Sequence, residues 1–450
     1  MFILLVKNRS RIQAIVEITL ILVGLLTMWQ YLPFIISDDG LLRYQALTDL
    51  LQHGKLTNIR YSIIGPIFSA PLWLLGRLNQ TPGWWLERYN FILFVAGLLL
   101  IYMLLKDRVE HGMIRKFILI LMVASMFPRH VSTYYGEVFT AMLVGVGILA
   151  AVMGPRLGGW VAIVLGVANT PAALVGMGFV VLKQIVANKR LRYTLAIVAA
   201  VGLIAAENWL RRGNPLNAGY QDDFGFVTLM PYSGKPGFSY PIFFGLLSIL
   251  FSFGKGLIFF APGLLLPVRS RLLKLQQESK PDLYKVYVLW IAFLVGLILV
   301  YAHWWAWYGG WFWGPRFFLF ASIPASFALA VRLHSRDSSF IANLLTLLVL
   351  ALSFWVGING AVFNQQTLDI CQSQHYALEF LCHYTPEFSV LWRPFVVAEH
   401  LNTNDIVYIL VSSIIFLYLS LPLIGAMVKQ TLAKAGDFGR EHGDFKLWHF

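Results

Sequence analysis

Two adjacent carboxylates, Asp38 and Asp39, lie directly after the first long apolar run of the chain, residues 13–36. A run of that length can cross a bilayer as one helix, so the pair is expected where the chain leaves the membrane. A carboxylate at that position can act as a general base that removes a proton from an attacking hydroxyl group. The structural alternative is a solvated acidic turn that ends at Gly40. The stretch 37–40 is therefore the first candidate for chemistry.

A second acidic candidate, Glu137, begins the apolar run 137–154, and Arg129 and His130 lie a few residues before it. A carboxylate in the first turn of a helix is favoured by the helix dipole, so Glu137 has an ordinary structural explanation. Alternatively, Glu137 is the second acid of a site, with Arg129 and His130 among the residues that bind substrate. The sequence leaves both interpretations open.

Two basic residues are candidates for binding an anionic group. Lys255 lies between two glycines at the start of the apolar run 254–268, where backbone N–H groups and a helix dipole would add to its charge. The surrounding sequence is not that of a P-loop. Arg316 ends a Gly-Pro-Arg sequence, and its guanidinium can bind a phosphate in a bidentate geometry that lysine lacks.

Aromatic side chains are dense between residues 303 and 316, which read HWWAWYGGWFWGPR. Tryptophan is enriched at membrane interfaces, which accounts for some of these residues. It does not account for their density or for the Gly-Gly and Gly-Pro breaks. We therefore predict that His303 and Trp307 join Arg316 in substrate binding, by stacking on sugar rings or by lining a lipid groove.

The segment after the acidic pair supplies three more candidates for substrate binding, Arg43, Tyr44 and Tyr61. It also contains an apolar piece, residues 63–78, which two prolines interrupt. This piece is too short and too broken to span a membrane. Such a sequence is typical of a helix that lies in the membrane interface.

Composition restricts the class of protein that can position these residues. Of 450 residues, 58% are hydrophobic and 13% are charged, whereas soluble domains have about 25% charged residues. The deficit extends along the whole chain, which indicates an all-α polytopic membrane protein built as a single embedded domain, residues 1–450. The formal charge of +13 fits basic cytoplasmic loops better than a nucleic-acid partner, because no basic run is interleaved with aromatic residues.

Twelve apolar runs are candidate transmembrane helices, and the two that flank residues 169–171 form a hairpin of short or tilted helices. The runs are 13–36, 89–105, 117–128, 137–154, 160–169, 171–184, 193–209, 254–268, 285–302, 317–331, 340–360 and 406–428. Twelve spans place both termini in the cytoplasm, and most of the 35 basic residues then fall on the inside, as the positive-inside rule requires. Three long segments lie outside: 37–88, which carries the acidic pair, and 210–253 and 361–405. Chemistry is therefore expected on the outer face.

The two cysteines of the chain, Cys371 and Cys382, both fall in the third outer segment. An oxidising compartment would allow a disulfide between them, while two independent thiols are the alternative. The cysteine and histidine spacing does not match a metal site, so we predict no metal cofactor, and a divalent ion at the acidic pair is the alternative.

The motifs taken together resemble the GT-C superfamily of glycosyltransferases, which includes protein O-mannosyltransferases and aminoarabinose transferases. The acidic pair with Arg43 and Tyr44 looks like the acidic first-loop motif of that family, and Glu137 matches its second-loop acid. The stretches 254–257 and 309–316 are similar to segments of bacterial members. The chain departs from the family at residues 169–171, where Asn-Thr-Pro stands in place of a common lysine.

The resemblance implies a GT-C bundle of about twelve transmembrane helices, with interfacial helices in the first outer loop. It implies an inverting transfer from a sugar on polyprenyl phosphate to an acceptor hydroxyl of a glycan, a lipid or a protein, as in the synthesis of cell-envelope glycans. Asp38 would be the base, with Asp39 as its partner, and Lys255 and Arg316 would hold the phosphate. The enzyme would lie in the plasma (inner) membrane with its active site outside, and would need no cofactor.

The competing hypothesis is a transporter or lipid flippase without bond chemistry. Such proteins place ionisable residues near the middle of their spans. Here the spans carry few charges; Glu17 lies near the inner end of the first and Glu207 near the outer end of the seventh. A structural subunit of a larger complex is a third hypothesis, but it gives no reason for the four candidate charged residues to lie on one side.

Overall fold

The computed structural model describes residues 2–220, 227–230, 233–235, 237–279, 282–334, 338–363, 369–398 and 400–443. Within these ranges, the side chains of 2–10, 277–279, 369 and 434–443 are outside the description. The described chain is helical, and its single β-contact is an isolated bridge between Ile35 and Thr133. The expected all-α class is therefore confirmed for this part of the protein.

Ten helices form the part of the chain that precedes residue 170. They are α1 (Phe2–Tyr31), α2 (Asp38–His53), α3 (Ile64–Ile67), α4 (Ala70–Leu78), α5 (Pro82–Glu87), α6 (Tyr89–Leu105), α7 (His111–Val123), α8 (Phe127–Val131), α9 (Glu137–Met153) and α10 (Arg156–Asn169).

Eleven helices follow in the second part. They are α11 (Ala173–Asn188), α12 (Thr194–Arg212), α13 (Ile242–Phe251), α14 (Leu257–Phe260), α15 (Arg269–Ser279), α16 (Leu283–Ala302), α17 (Ser322–His334), α18 (Phe340–Val362), α19 (Asp369–Tyr376), α20 (Glu379–Tyr384) and α21 (Thr403–Gly443). Short 3₁₀ turns occur at Leu191–Tyr193, Pro262–Leu265, Arg316–Ala321, Pro386–Phe388 and Arg393–Phe395.

Six stretches of the described chain are long and apolar enough to cross a membrane: Arg11–Tyr31, Leu191–Arg212, Leu283–Ala302, Arg316–His334, Phe340–Val362 and Thr403–Ala433. Five shorter apolar helices, α6, α9, α10, α11 and α13, accompany them. This supports a multi-pass membrane protein, although the count of twelve spans is not confirmed. Arg316–His334 is 89% buried and lies at the centre of the bundle, whereas Leu191–Arg212 is 11% buried and lies at its periphery.

Two of the predicted spans are wrong. Residues 254–268 do not form one helix, because the chain breaks after the four residues of α14 and continues as a 3₁₀ turn that starts at Pro262. Proline supplies no N–H for the helical ladder, and Gly263 packs against the backbone of Ala325. Residues 117–128 are likewise interrupted, since α7 ends at Val123 and α8 begins at Phe127.

The first outer segment is more helical than expected. The acidic pair does not form a turn but begins α2, so the alternative in which Gly40 ends a turn is wrong. The helix ends instead at Gly54, whose left-handed backbone (φ 63°) lets the Gly54 N–H close on the last carbonyls of α2. The predicted interfacial piece 63–78 is divided into α3 and α4 near its two prolines.

A buried ion pair ties three helices together at the cytoplasmic end predicted from the charges. Glu17 of α1 is fully buried, and its carboxylate lies 2.5 Å from Nε of Arg115 in α7. The hydroxyl of Tyr418 in α21 donates to the same carboxylate at 2.9 Å, and Gln13 donates at 3.0 Å. The carboxylate is therefore compensated on all sides, as a buried charge in a membrane protein must be.

Cys371 and Cys382 form a disulfide with a Cα–Cα distance of 6.3 Å, which answers the question that the sequence left open. The bond joins α19 to α20 within the segment 361–405. It closes a short loop that packs against the aromatic stretch around Trp311.

Gly357→Ala is expected to destabilise the bundle, because a Cβ on this buried residue of α18 would collide with the backbone carbonyl of Val123. We expect a loss of about 1–3 kcal/mol in the free energy of unfolding, the usual cost of overpacking. Gly425→Ala in α21 is the matched control, because nothing lies within 4 Å of its would-be Cβ. Thermal unfolding in detergent measures both; equal melting temperatures for the two variants would contradict this packing.

Candidate functional site

A cavity of about 1000 Å³ opens beside the first outer segment and contains six of the predicted site residues. The six are Asp38, Asp39, Arg43, Tyr61, Glu137 and Arg316. They come from α2, from the segment before α3, from the start of α9 and from the turn before α17. The structure therefore brings together charged residues that are far apart in the sequence.

Arg316 is the centre of the charged residues in the cavity. Its Nη1 lies 2.7 Å from Oδ2 of Asp39, and its Nε lies 3.7 Å from Oε1 of Glu137. Each of the three side chains is less than one fifth exposed. The guanidinium thus forms ion pairs with two carboxylates in a partly desolvated site, where charge pairs are stronger than in water, and it offsets one of their two negative charges.

Asp39 is held in its ionised state by its neighbours. Burial alone would raise its pKa, but the Arg316 charge and a 2.5 Å hydrogen bond from the Tyr61 hydroxyl outweigh burial and lower the pKa below its ordinary value. Burial and the Asp39 charge raise the pKa of Tyr61 above its usual range, so this hydroxyl keeps its proton. Asp39 is therefore a weak base with its acceptor positions largely occupied.

Asp38 differs from its neighbour in both exposure and backbone. Its side chain is exposed to the cavity, and it accepts a 3.2 Å hydrogen bond from the Tyr135 hydroxyl. Its φ of 47° lies in the left-handed region, which non-glycine residues rarely adopt. Strained backbone of this kind is concentrated at functional sites, so Asp38 is the more accessible and the more constrained of the pair.

The beginning of α2 is fixed by Arg43, which is buried. Its Nη1 donates to the carbonyl of Ser62 at 3.2 Å, and its guanidinium lies 4.9 Å from the centroid of the Tyr61 ring. Gly136 leaves room for this packing, because a Cβ there would lie 2.8 Å from Nη2 of Arg43. The segment 37–88 and the loop that precedes Glu137 are thereby locked together around the acidic pair.

Asn169 makes a further link between these loops and also lines the cavity. Its side-chain oxygen accepts from the N–H of Gly65 at 3.1 Å, and its amide donates to the carbonyl of Gly136 and to the hydroxyl of Thr140. The sequence drew attention to residues 169–171 as the turn between two short apolar runs and as a departure from the family pattern. In the structure Asn169 fixes the backbone immediately before Glu137.

Four charged cavity residues were not predicted as site residues: Arg60, Glu207, Arg211 and Arg212. Three of them lie in the last turns of α12, beside residues 57–63. Nε of Arg60 donates to the Tyr61 hydroxyl at 3.0 Å, so two arginines flank Tyr61 and Asp39. A signal was present in the sequence, because charges at the end of an apolar run are costly and were noted for Glu207.

The remaining cavity wall is mainly apolar and aromatic. Its residues include Leu174, Val175, Ile204, Leu297, Val300, Tyr220, Phe238, Tyr301, Trp304 and Phe317. Trp304 contacts Tyr220 and Phe238 edge to face, at centroid distances of 6.0 and 5.3 Å. A cavity with a charged end and a long apolar wall suits an amphiphilic ligand.

Lys255 does not lie where an anion-binding lysine was expected. Its Nζ is buried and donates to the carbonyls of Gly310, Phe312 and Gly314, at 3.2, 2.5 and 3.0 Å respectively. An ammonium group has three N–H donors, so these carbonyls use all of them. Lys255 therefore supports the loop that carries Arg316 and does not line the cavity, so its predicted contact with a phosphate has no support in the geometry.

Five other predicted residues do not line the cavity. Arg129 and His130 of α8 are buried behind Phe312. The Arg129 guanidinium carbon lies 5.3 Å from the centroid of the Phe312 ring, and the His130 ring centroid lies 5.0 Å from it. Burial lowers the pKa of Arg129 to about 10 and, with the Arg129 charge, lowers that of His130 well below its ordinary value. These two residues pack beneath the site and have no direct access to a substrate there.

The other three are Tyr44, His303 and Trp307. Tyr44 packs on a small apolar cluster under α2, and Trp307 is buried next to Tyr384. His303 is exposed, with Nδ1 2.6 Å from the carbonyl oxygen of Tyr240. Their predicted contact with substrate is thus not supported by the geometry, because each side chain is used in packing or in holding a loop.

The disulfide segment covers one side of the cavity. Gln372 and Tyr376 line it, and the Tyr376 ring stacks on Trp311 with a centroid distance of 3.6 Å. The Trp311 indole N–H donates to Glu379 at 2.5 Å. Burial raises the pKa of Glu379 to about 7, although the hydrogen bonds from Trp311 and Tyr308 and the Lys255 charge oppose the rise.

Within the described ranges, no group of three or more His, Cys, Asp or Glu side chains is arranged to hold a metal ion. Comparisons of the chain with protein-family models, with curated proteins and with solved structures find no match. The geometry of the cavity is therefore the observation from which a function can be argued.

Replacing Glu379 by Gln is expected to flatten the pH dependence of stability. The pKa of Glu379 is raised from 4.5 to about 7, so the folded protein holds this proton more tightly than the unfolded chain does. The resulting contribution to the free energy of unfolding is complete below pH 4.5 and is lost as the pH rises through about 7. Linkage sets its size at about 3 kcal/mol between pH 4.5 and 8. Melting temperatures of wild type and Glu379→Gln from pH 5 to 8 test this, and parallel curves would contradict it.

Proposed function

We propose that the chain is an integral membrane glycosyltransferase that moves a sugar from a polyprenyl-phosphate donor to an acceptor hydroxyl on the extracytoplasmic face, with inversion. The observation that carries the proposal is the cavity in which two carboxylates are bridged by Arg316 at one end of a long apolar wall. The charged end suits a phosphate and a sugar, and the apolar wall suits a prenyl chain. Asp39, Glu137 and Arg316, the three charged residues of this bridge, all come from the sequence motifs that resemble the GT-C superfamily.

Asp38 is the better candidate for the general base. Asp39 is committed to Arg316 and Tyr61, which lowers its pKa and makes it a poor proton acceptor. Asp38 is exposed to the cavity beside the fixed charge of its neighbour. It would accept the proton of the acceptor hydroxyl as that oxygen attacks the anomeric carbon, and Asp39 would keep Arg316 in place.

The bond that breaks joins the anomeric carbon to a phosphate oxygen, which leaves with the electron pair. Attack from the face opposite this bond inverts the configuration of the sugar. Arg316 lines the cavity and would stabilise the charge that develops on the leaving phosphate, and Arg60 is a second cation of the same wall. Lys255 would contribute indirectly, since it holds the loop that positions Arg316.

One structural feature and the charge pattern of the sequence support an active site on the outer side. The cavity wall includes Gln372 and Tyr376 from the segment with the disulfide, and disulfides persist in oxidising compartments. The basic loops of the positive-inside pattern lie away from this segment in the sequence. We propose the plasma (inner) membrane as the location, with both termini cytoplasmic and with a glycan, lipid or protein as acceptor.

Asp38→Asn is expected to lower kcat by about 10²–10⁴-fold, the usual contribution of a general base, with little change in donor binding. Asparagine tolerates the left-handed backbone at this position, so the fold should persist. Asp39→Asn should instead weaken donor binding as well, because Arg316 loses its partner. The measurement is sugar transfer by protein reconstituted in lipid vesicles, offered a panel of polyprenyl-phosphate sugars.

Asp49→Asn is the matched control, since this exposed carboxylate lies on the same helix and outside the cavity. Full turnover in Asp38→Asn would overturn the assignment of the base. No turnover in wild type with any donor, together with movement of lipid-linked sugar across vesicles, would favour the transporter hypothesis.

Arg316→Lys is expected to reduce kcat/KM by about 10²-fold, because lysine cannot bridge two carboxylates and a phosphate at once. Arg77→Lys on α4 is the control, as this side chain packs over Trp73 away from the cavity. The same transfer assay measures both. Equal activities of the two variants would show that the guanidinium geometry is not required.

A further inference from the structure

We infer that Glu207 and Arg211, near the end of α12, are positioning residues that hold Tyr61 against Asp39. The inference rests on the function proposed above, and it adds a role for two residues that lie outside the acidic motifs. We call this pair the α12 clamp. Its role is to fix one outer-loop segment, residues 57–63, over the candidate base pair.

Arg211 binds three backbone carbonyls of that segment. Nε donates to Thr57 at 3.0 Å, Nη2 to Ile59 at 2.6 Å and Nη1 to Tyr61 at 2.7 Å. Nη1 also lies 2.6 Å from the carboxylate of Glu207. One side chain thus fixes every second residue of a segment that has no helical hydrogen bonds of its own.

Glu207 binds the end of the same segment. Its carboxylate accepts from the hydroxyl of Ser62 and from the backbone N–H of Ile63, both at 2.7 Å. The side chains of the clamp are at most one tenth exposed. The segment between its two ends carries Tyr61, whose hydroxyl donates to Asp39 at 2.5 Å. The clamp therefore acts on Asp39 through the backbone of Tyr61.

The position of the clamp argues against a role in holding the bundle together. The candidate span that contains α12 is 11% buried, and α12 packs mainly on α10 and α11 at the periphery. A buried ion pair is weak evidence for stability, because desolvation of both charges opposes their attraction. Glu207 and Arg211 form their hydrogen bonds with residues 57–63 of the cavity wall and with each other. In the described part of the chain, neither side chain bonds to α10 or α11.

Hydrogen–deuterium exchange tests the clamp without any substrate. In Glu207→Ala we expect faster exchange at the Ile63 amide, and in Arg211→Ala faster exchange across peptides that cover 57–63, with the rest of the protein unchanged. Glu207→Gln keeps an acceptor oxygen and should give a smaller effect. Arg192→Ala, an exposed arginine just before the other end of α12, is the matched control. Unchanged exchange at 57–63 in both alanine variants would overturn the clamp.

The transfer assay then tests positioning. Arg211→Ala and Glu207→Ala should lower kcat by about tenfold or more, with KM for the donor changed much less, because misplacement of a reacting group affects the chemical step. Tyr61→Phe removes the hydroxyl that the clamp positions. If the clamp acts through Tyr61, the double variant Tyr61→Phe/Arg211→Ala should be no slower than Tyr61→Phe, whereas a purely structural role would give additive losses.

The outcomes separate the two proposals. Suppose that the wild type turns over donor. Additive losses in the double variant, or a rise in KM alone in the single clamp variants, would then overturn the positioning role and leave the glycosyltransferase proposal standing. No turnover in wild type with any polyprenyl-phosphate sugar overturns the proposed function and the positioning role with it. Arg211→Lys, which keeps the charge but not the three-way geometry, serves if the alanine variant fails to fold; wild-type kcat in this variant would likewise overturn the inference.

Discussion

The ion pair between Arg316 and Asp39 joins residues 277 positions apart and brings the first outer loop to the central helix of the bundle. Both partners lose hydration in the cavity, so their attraction must be supported by further contacts. Tyr61 supplies a hydrogen bond to Asp39, and Glu137 supplies a second negative charge to Arg316. The shape and the charge of the site depend on contacts that hold Asp39 and Arg316 at this distance.

The support extends behind the site to Lys255. A lysine that gives its three donors to the carbonyls of one loop replaces the regular backbone hydrogen bonds that the loop lacks. That loop contains three glycines with positive φ, and Trp311 and Arg316 are among its residues that line the cavity. The aromatic residues of this stretch thus have two roles. Trp307 and Trp313 are buried in the packed core, and others, such as Trp311, form part of the cavity wall.

The sequence predicted the helical membrane class and the charged centre of the site, because long apolar runs are typical of membrane helices and a charge at the end of such a run is costly unless it has a partner. It did not predict which basic residue faces the cavity. Lys255 and Arg316 both lie close to glycines at the start of an apolar run. Only the path of the loop decides that Lys255 is buried beneath it and that Arg316 lines the cavity. The role of Arg211 was missed since its partners in the loop are backbone carbonyls, which leave no mark on residue type.

The ion pair around Glu17 has a consequence for the order of assembly. Glu17 meets Arg115 across 98 positions and Tyr418 across 401, and α1 packs against both α7 and α21. During synthesis the carboxylate first gains its counter-charge from α7, and its hydrogen bond from Tyr418 must wait until the last described helix is in the membrane. The contact between α1 and α21 can therefore form only after α21 has entered the membrane, later than the contact between α1 and α7.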